Sequence, residues 1–463
     1  MRFVGRLSYW GILAAALSKA LLRVTICTLP ATVTAMRLHV CLLSVILPLL
    51  GGAADIPQPV LPEGVGVNIH FVTGQEKDLD LIAAAGFKFV RMDFHWESVE
   101  PRRGEYHWAG YEELLTNLEK RGLRAILILD YSHHLYEEEV TSPHPQTGQP
   151  HKTISSPQHP ESVAAFARWA AAAAKHFQGR RVLWEIWNEP NIHFWSPKPN
   201  VQQYTTLALA TAKAIREADA QATIIGPASS GFPWEFLETF LKSGVLDYLD
   251  AVSVHPYRNP KQPPETAAPD YQKLRAMIER CAPASKQGRL PILSGEWGYS
   301  TYKRGVSLET QAAFAARQQL SNLLNGVPLS IWYDWKNDGP DANENEHNFG
   351  TVLPDLTPKP AYLAIQTLTR QLTGYGVVRR LALPSDKDYV LLCANAGGDQ
   401  KLAAWTLGEP HQASLDILLR DGAKPTAVAG NGEAVTPNTE SGRLVLELKP
   451  LPQYVTLGKA GLK

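Results

Sequence analysis

Two glutamates stand where two short apolar runs stop. Val182, Leu183, Ile186 and Trp187 form a nearly continuous apolar stretch that ends in Asn188-Glu189-Pro190-Asn191. Such a run suits a strand buried on both faces of a parallel sheet, and Pro190, which has no N–H, cannot extend its ladder. Residues 291–298 repeat the pattern, with Glu296 ending the run between Gly295 and Gly298. A carboxylate at the end of a buried strand is costly unless it has a partner or a task. Taken singly, each reads equally well as half of a structural ion pair. Taken together they have what glycoside cleavage requires: one carboxyl held protonated to donate to the leaving oxygen, the other ionised to attack the anomeric carbon.

Both glutamates need strands of one sheet to carry them, and the surrounding chain alternates accordingly. Residues 64–71, 87–94 and 123–130 read as strands. Between them lie helical stripes, one through Leu79, Ile82 and Ala83, the next through Tyr111, Leu114, Leu115 and Leu118, closed by Gly86 and Gly122. Helices over 162–177, 204–218, 271–281, 308–324 and 360–368 then alternate with strands at 222–226, 251–255 and 329–335, besides the two glutamate strands. Eight strands with intervening helices in roughly 310 residues predict an α/β fold, a (β/α)8 TIM barrel, whose sites lie at the C-terminal strand ends. The polar stretch from Asp130 to His159 reads as a long loop forming one wall of a cleft.

Beyond residue 372 the texture changes to short alternating strands at 377–383, 389–394, 401–407, 415–418, 444–448 and 454–457, punctuated by Gly397-Gly398 and Gly430-Asn431-Gly432. That pattern predicts a C-terminal β-sandwich in which alternation buries Trp405. The expected organisation is residues 1–54 as an N-terminal extension and leader, 55–371 as a catalytic barrel and 372–463 as an accessory β-sandwich.

Asn188-Glu189-Pro190, followed by Glu296 in Ser294-Gly295-Glu296-Trp297-Gly298, resembles the acid/base and nucleophile motifs of clan A retaining glycoside hydrolases, closest to glycoside hydrolase families 39 and 5. The resemblance covers residues 60–370. It implies Glu189 as acid/base on strand four and Glu296 as nucleophile on strand seven. It further implies that Asn188 binds the sugar 2-hydroxyl and that Arg91, ending strand two, contacts the nucleophile. His255-Pro256-Tyr257, at the end of strand six, matches the histidine and tyrosine that flank the nucleophile. Tyr257 would hydrogen-bond Glu296, and His255 would support sugar hydroxyls or Glu189. Trp335, ending strand eight, matches the aromatic floor of the sugar subsite. His95, with Trp96, His193, Trp195 and the loop 336–348, lies within reach of a substrate, while Asp93 and Asp130 read as structural strand-end carboxylates.

The implied activity is a secreted retaining hydrolase of a β-linked oligo- or polysaccharide. Loops after Asp130 and Trp335 that closed the cleft into a pocket would favour action from a chain end. A transglycosylase would use the same residues. A catalytically silent carbohydrate-binding barrel would normally have lost one of Glu189, Glu296, Asn188, Tyr257 or Arg91. A metal-dependent amidohydrolase needs His-x-His at the first strand end, where this chain has Asn68-Ile69-His70.

Composition removes other classes. Lys+Arg 45 balances Asp+Glu 45, so no net field recruits nucleic acid or an anionic membrane. No P-loop, dinucleotide turn or Cys-x-x-Cys pair is present, and no cofactor is expected. His133, His134, His144 and His151 lack the spacing of a metal motif, and no metal is expected either. Met36-Arg37-Leu38-His39, the apolar run 40–50 and Gly51-Gly52-Ala53-Ala54 read as a signal peptide beginning at a true start at Met36, with export to the periplasm or exterior and no stable membrane span after cleavage. Cleavage leaves Cys281 and Cys393, the former expected as a buried helical thiol; their pairing is open. Oligomeric state has no signature in the sequence.

Overall fold

The computed structural model describes residues 55–143, 147–418, 425–440 and 443–458. The leader expected over residues 1–54, and His144, lie outside them. Among the described residues no helix is long and apolar enough to cross a membrane.

Eight parallel strands close into a barrel: Val65–Asn68, Phe89–His95, Arg124–Asp130, Leu183–Ile186, Thr223–Ser230, Ala251–His255, Ile292–Trp297 and Ser330–Trp332, each beside the next and strand eight back on strand one. Their near-continuous apolar runs follow from this architecture, since one face meets the barrel interior and the other the helices. The interior floor is a layer of Phe89, Ile126, Leu183, Ile225, Ala251, Leu293, Leu329 and Ile331. Stepping two residues along strands two and four turns this apolar layer into Arg91 and Glu185. The barrel is therefore dry below and charged above.

Several elements depart from the sequence reading. The long loop after Asp130 contains an antiparallel hairpin, Glu139–Pro143 on Pro150–Ile154. Its alternation is weak because one strand starts and the other ends in proline. Helix Trp234–Leu241, between strands five and six, was not predicted. Strand eight stops at Trp332, short of the expected residue 335. Elsewhere local chemistry sets the boundaries: Asn200 Oδ1 accepts from the N–H groups of Gln202 and Gln203, both at 3.1 Å, and starts helix Val201–Ala218.

After helix Pro360–Leu372 the chain forms a six-stranded antiparallel sheet facing a three-stranded one. Strand Asp388–Asn395 shows how they are held. Val390 and Leu392 point between the sheets with Leu402, Leu444 and Leu446. Their neighbours Leu391 and Cys393 point the other way and join the barrel's own core, as period-two alternation requires. Trp405 is buried, as alternation predicts, and its Nε1 donates to Glu265 Oε1 at 2.8 Å. Glu265 in turn takes both ends of the Arg317 fork, each at 2.8 Å. Among the described residues Cys281 and Cys393 form no disulfide, and Cys281 is only half-buried.

This buried triad joins the sheets to the barrel, and it yields a prediction. Glu265→Ala leaves Arg317 charged without a partner and strands the Trp405 N–H. It should lower unfolding free energy by about 3–5 kcal/mol, read by urea denaturation, whereas replacing Glu265 and Arg317 together by apolar residues should cost less than the single change.

Candidate active site

The site is assembled around Arg91, which is buried within strand two, four residues before its end at His95 and not at the strand end the sequence suggests. Its Nε donates to Glu185 Oε2 and its Nη1 to Glu296 Oε2, both at 2.6 Å. Nη1 also reaches Asn68 Oδ1 at 3.2 Å, and Nη2 reaches Asn188 Oδ1 at 2.9 Å. Burial by itself would weaken the cation, but the Glu185 and Glu296 charges more than reverse this and hold Arg91 above its ordinary pKa.

One further contact fixes a tautomer. Nη2 stands 3.3 Å from His255 Nε2. A guanidinium can only donate, so His255 Nε2 must present its lone pair and Nδ1 must carry the proton. Nδ1 then donates to Glu189 Oε1 at 2.9 Å. On the other side the Tyr257 hydroxyl donates to Glu296 Oε1 at 2.7 Å. Burial, reinforced by the Glu296 charge, pushes the Tyr257 phenol well above its usual range, so it remains a donor. Both Glu296 oxygens are therefore acceptors, one from a cation and one from a phenol.

Backbone geometry brings the two glutamates together. Strand four ends at Ile186, and Glu189 sits in a turn where Trp187 and Glu189 take φ values of 67° and 45°. Positive φ in such bulky residues is strained and needs surrounding structure to hold it. Trp187 is buried, with its Nε1 donating to Phe194 O at 3.2 Å, and Glu189 N donates to Ala228 O at 2.9 Å. In strand seven the register against strand eight slips between Ser294 and Trp297, where Gly295 and Glu296 oppose the single residue Ile331. Such a bulge re-aims a side chain, here Glu296. Gly295 is needed beside it, because a Cβ there would meet Glu185 Oε1 at 3.1 Å and His255 at 3.4 Å. The result is that one oxygen from each of Glu189 and Glu296 and one His255 nitrogen lie within 4.8 Å of one another. That triad could ligate a metal by distance alone, but the Arg91 guanidinium already supplies its positive charge.

A cleft of about 810 Å³ opens over these groups. One wall is Tyr131 stacked with Phe194, centroids 5.8 Å apart; the other is Tyr333 edge-on to Phe349 at 5.2 Å. Asn188 Nδ2 donates to the Tyr131 hydroxyl at 3.0 Å, tying the first wall to the charged centre.

Residues 58–339 match the model of the cellulase family, glycosyl hydrolase family 5. The chain belongs to that family. A family 39 glycoside hydrolase from the gut symbiont Bacteroides cellulosilyticus WH2 has a similar structure, with a TM-score of 0.73 and 26% identity over 88% of this chain and 82% of that one. A family 39 β-xylosidase from Caulobacter crescentus shares the fold, with a TM-score of 0.61 at 18% identity over 87% of this chain and 97% of that one. Two proteins named β-xylosidase are similar in sequence. The one from Caldicellulosiruptor saccharolyticus is 25% identical over 47% of this chain and 48% of its own length. The one from Geobacillus stearothermophilus is 30% identical over 30% of each. The chain thus spans about half or less of the curated relatives it matches. It is a clan A glycoside hydrolase close to families 39 and 5.

In this hydrolase Glu189, Glu296, Asn188, Arg91, His255 and Tyr257 converge at one point, as the sequence motifs implied. Trp335 does not join them. It is buried outside the cleft, its Nε1 donating to Asp78 Oδ1 at 2.8 Å and its ring packed near Tyr362. Strand eight ends earlier than its apolar run, and Tyr333, two residues before, lines the cleft instead. His95 also stands apart, half-exposed in a shallow depression beside Tyr131, with Nδ1 3.4 Å from Asp130 Oδ1 and Nε2 3.8 Å from Asp93 Oδ2. His193 lines the cleft, whereas Trp96 and Trp195 are packing residues. Of the 336–348 loop, Asn345 and Glu346 reach the cleft.

The sequence reading missed Glu185, although a lone charge four residues before Glu189 in an apolar run was a visible signal. It also missed the Tyr131 wall. Asp93 lines the cleft, while Asp130 is fully buried behind it. Burial first, then the Asp93 charge, raises the Asp130 carboxyl well above the ordinary range. A carboxyl whose folded pKa is raised contributes stability that is present below its unfolded value and lost as pH rises through the folded one. Asp130→Asn should therefore flatten the fall in stability above about pH 4, measured by urea unfolding across pH. A slope identical to the wild type would place the buried proton elsewhere.

Proposed function

We propose that this hydrolase cleaves β-glycosidic bonds of an oligo- or polysaccharide with retention of configuration. Glu296 attacks the anomeric carbon while Glu189 donates its proton to the leaving oxygen, giving a covalent glycosyl-enzyme and a free alcohol. Glu189, now a base, takes a proton from water as that water displaces Glu296, and the sugar leaves with its original configuration. The supporting observation is the close approach of the two carboxylates, with one oxygen of each within 4.8 Å of the other. Retaining sites hold their carboxyl groups about 5–5.5 Å apart, and inverting sites leave about 6.5–9.5 Å for a water.

The other residues have definite tasks. Arg91 and Tyr257 hold Glu296 by its two oxygens, so it cannot swing away from the sugar face. His255 orients Glu189 from behind through its Nδ1 proton. Asn188, steadied by Arg91 and Tyr131, is poised for the 2-hydroxyl, a contact that strengthens in the transition state. The aromatic walls offer sugar-stacking faces. Since the sequence relatives are named β-xylosidases, aryl β-xylosides are the first substrates to test, with β-glucosides and plant and bacterial polysaccharides alongside. Export is part of this proposal, supported by the charged, apolar and small-residue pattern of residues 36–54.

Glu296→Gln should abolish turnover of an aryl β-glycoside. Glu189→Ala should lower kcat by about 10²–10⁴ on substrates with poor leaving groups. Azide should restore that variant on activated substrates and yield the β-glycosyl azide, because it attacks the intermediate opposite Glu296. Recovery of the α-azide by NMR would refute the two roles. N-terminal sequencing of exported protein should begin at or near Asp55; intact residues 36–54 would refute cleavage.

A further inference from the structure

At the edge of the same cleft, which His70 also lines, three side chains with metal-binding atoms meet where the ends of strands one and eight lie side by side. His70 follows strand one by two residues, Asp334 follows strand eight by two, and Asp338 begins the loop beyond. One ligand atom from each lies within 4.8 Å of the other two.

Asp334 makes this arrangement unusual. It is fully buried, and among the described residues neither of its side-chain oxygens has a hydrogen-bond donor. His70 Nε2 stands at ion-pair distance, 3.4 Å from Oδ2. A buried carboxylate without donors is costly, and nearby cations are committed elsewhere. Lys336 Nζ is 2.8 Å from Asp78 Oδ1, and Lys359 Nζ is spent on Thr301 at 3.2 Å, Asn337 at 3.3 Å and Asn348 O at 3.2 Å. Asp338 brings a second negative charge to the same point. A His–Asp ion pair would account for Oδ2 and leave Oδ1 and Asp338 unexplained.

We propose that His70, Asp334 and Asp338 bind a single zinc ion, with solvent as its fourth ligand. Tetrahedral zinc with bonds of about 2.0–2.2 Å sets neighbouring ligand atoms about 3.4 Å apart, the separation His70 Nε2 and Asp334 Oδ2 already have. An imidazole beside two carboxylates selects a borderline transition ion over calcium or magnesium, which take oxygen ligands. The ion is not part of bond cleavage. It fastens the start of the 336–348 loop to strand one, and that loop carries Asn345 and Glu346 into the cleft. His70 itself packs against the Tyr333 ring, centroids 5.7 Å apart, so the ion also steadies an aromatic wall.

The test uses the full chain, stripped by chelator and titrated with zinc chloride by calorimetry, with calcium and magnesium chloride in parallel. Zinc should bind one per chain, with the other two ions showing no saturable heat. Asp338→Asn, at an exposed position that leaves the fold intact, should weaken binding at least about tenfold, and His70→Gln likewise. Glu296→Gln, which dismantles the Glu189–His255–Glu296 cluster, should leave it unchanged. Hydrogen exchange over 336–348 should slow on adding zinc to the wild type and not to Asp338→Asn. Absence of zinc binding, binding undiminished in Asp338→Asn and His70→Gln, binding lost in Glu296→Gln, or saturable calcium binding in place of zinc would each overturn the assignment.

Discussion

The arrangement depends on one buried guanidinium. Arg91 pairs with Glu185 and Glu296 and also meets Asn188 and His255, and it does so from a fully desolvated position. Taking such charges out of water costs several kcal/mol per ion, so a lone arginine there would be untenable. Glu185 and Glu296 together supply the compensation. Glu185 has no exposure to substrate; it is buried on strand four and anchors the guanidinium from below. The fork geometry matters as much as the charge. A lysine would offer one point charge and could not orient Glu296, Asn188 and the His255 tautomer at once.

Around that centre most of the barrel's irregularities lie at the mouth; Arg181, at φ 56° just before strand four, is an exception at the other end. The floor is regular and apolar, while the strained residues at Trp187, Glu189 and Ala228 and the slipped registers of strands five and seven lie toward the C-terminal ends. Strain there is tolerable because each irregular backbone is locked by burial or by a bond, as Glu189 N is to Ala228 O. The C-terminal sheets contribute from outside. They add a second packed face to the barrel helices through the Trp405–Glu265–Arg317 contact and leave the cleft open.

Much of this was legible in the chain, and for identifiable reasons. Apolar runs of strand length alternating with 3.6-period stripes are local signals, and they yielded the barrel and its order. Glu189 and Glu296 stood out because a charge at the end of an apolar run is locally anomalous. Strand ends were read less well. Trp335 matches the family's aromatic floor only if strand eight runs to its end; pairing with strand one stops at Trp332, and Tyr333 is the residue that lines the cleft. The hairpin at 139–154 was missed because its strands lack clean alternation.

The sequence by itself determined the fold class, the pair of acids and the strands that carry them, since each is written in contiguous residues. Only the tertiary structure decided which partners those acids have. Arg91 meets Glu185 and Glu296 across separations of 94 and 205 positions, and no local pattern encodes such a meeting. The direction of a side chain at a strand end depends on register, bulges and the backbone turn beyond it. Those are properties of neighbouring strands, fixed when the ring closes.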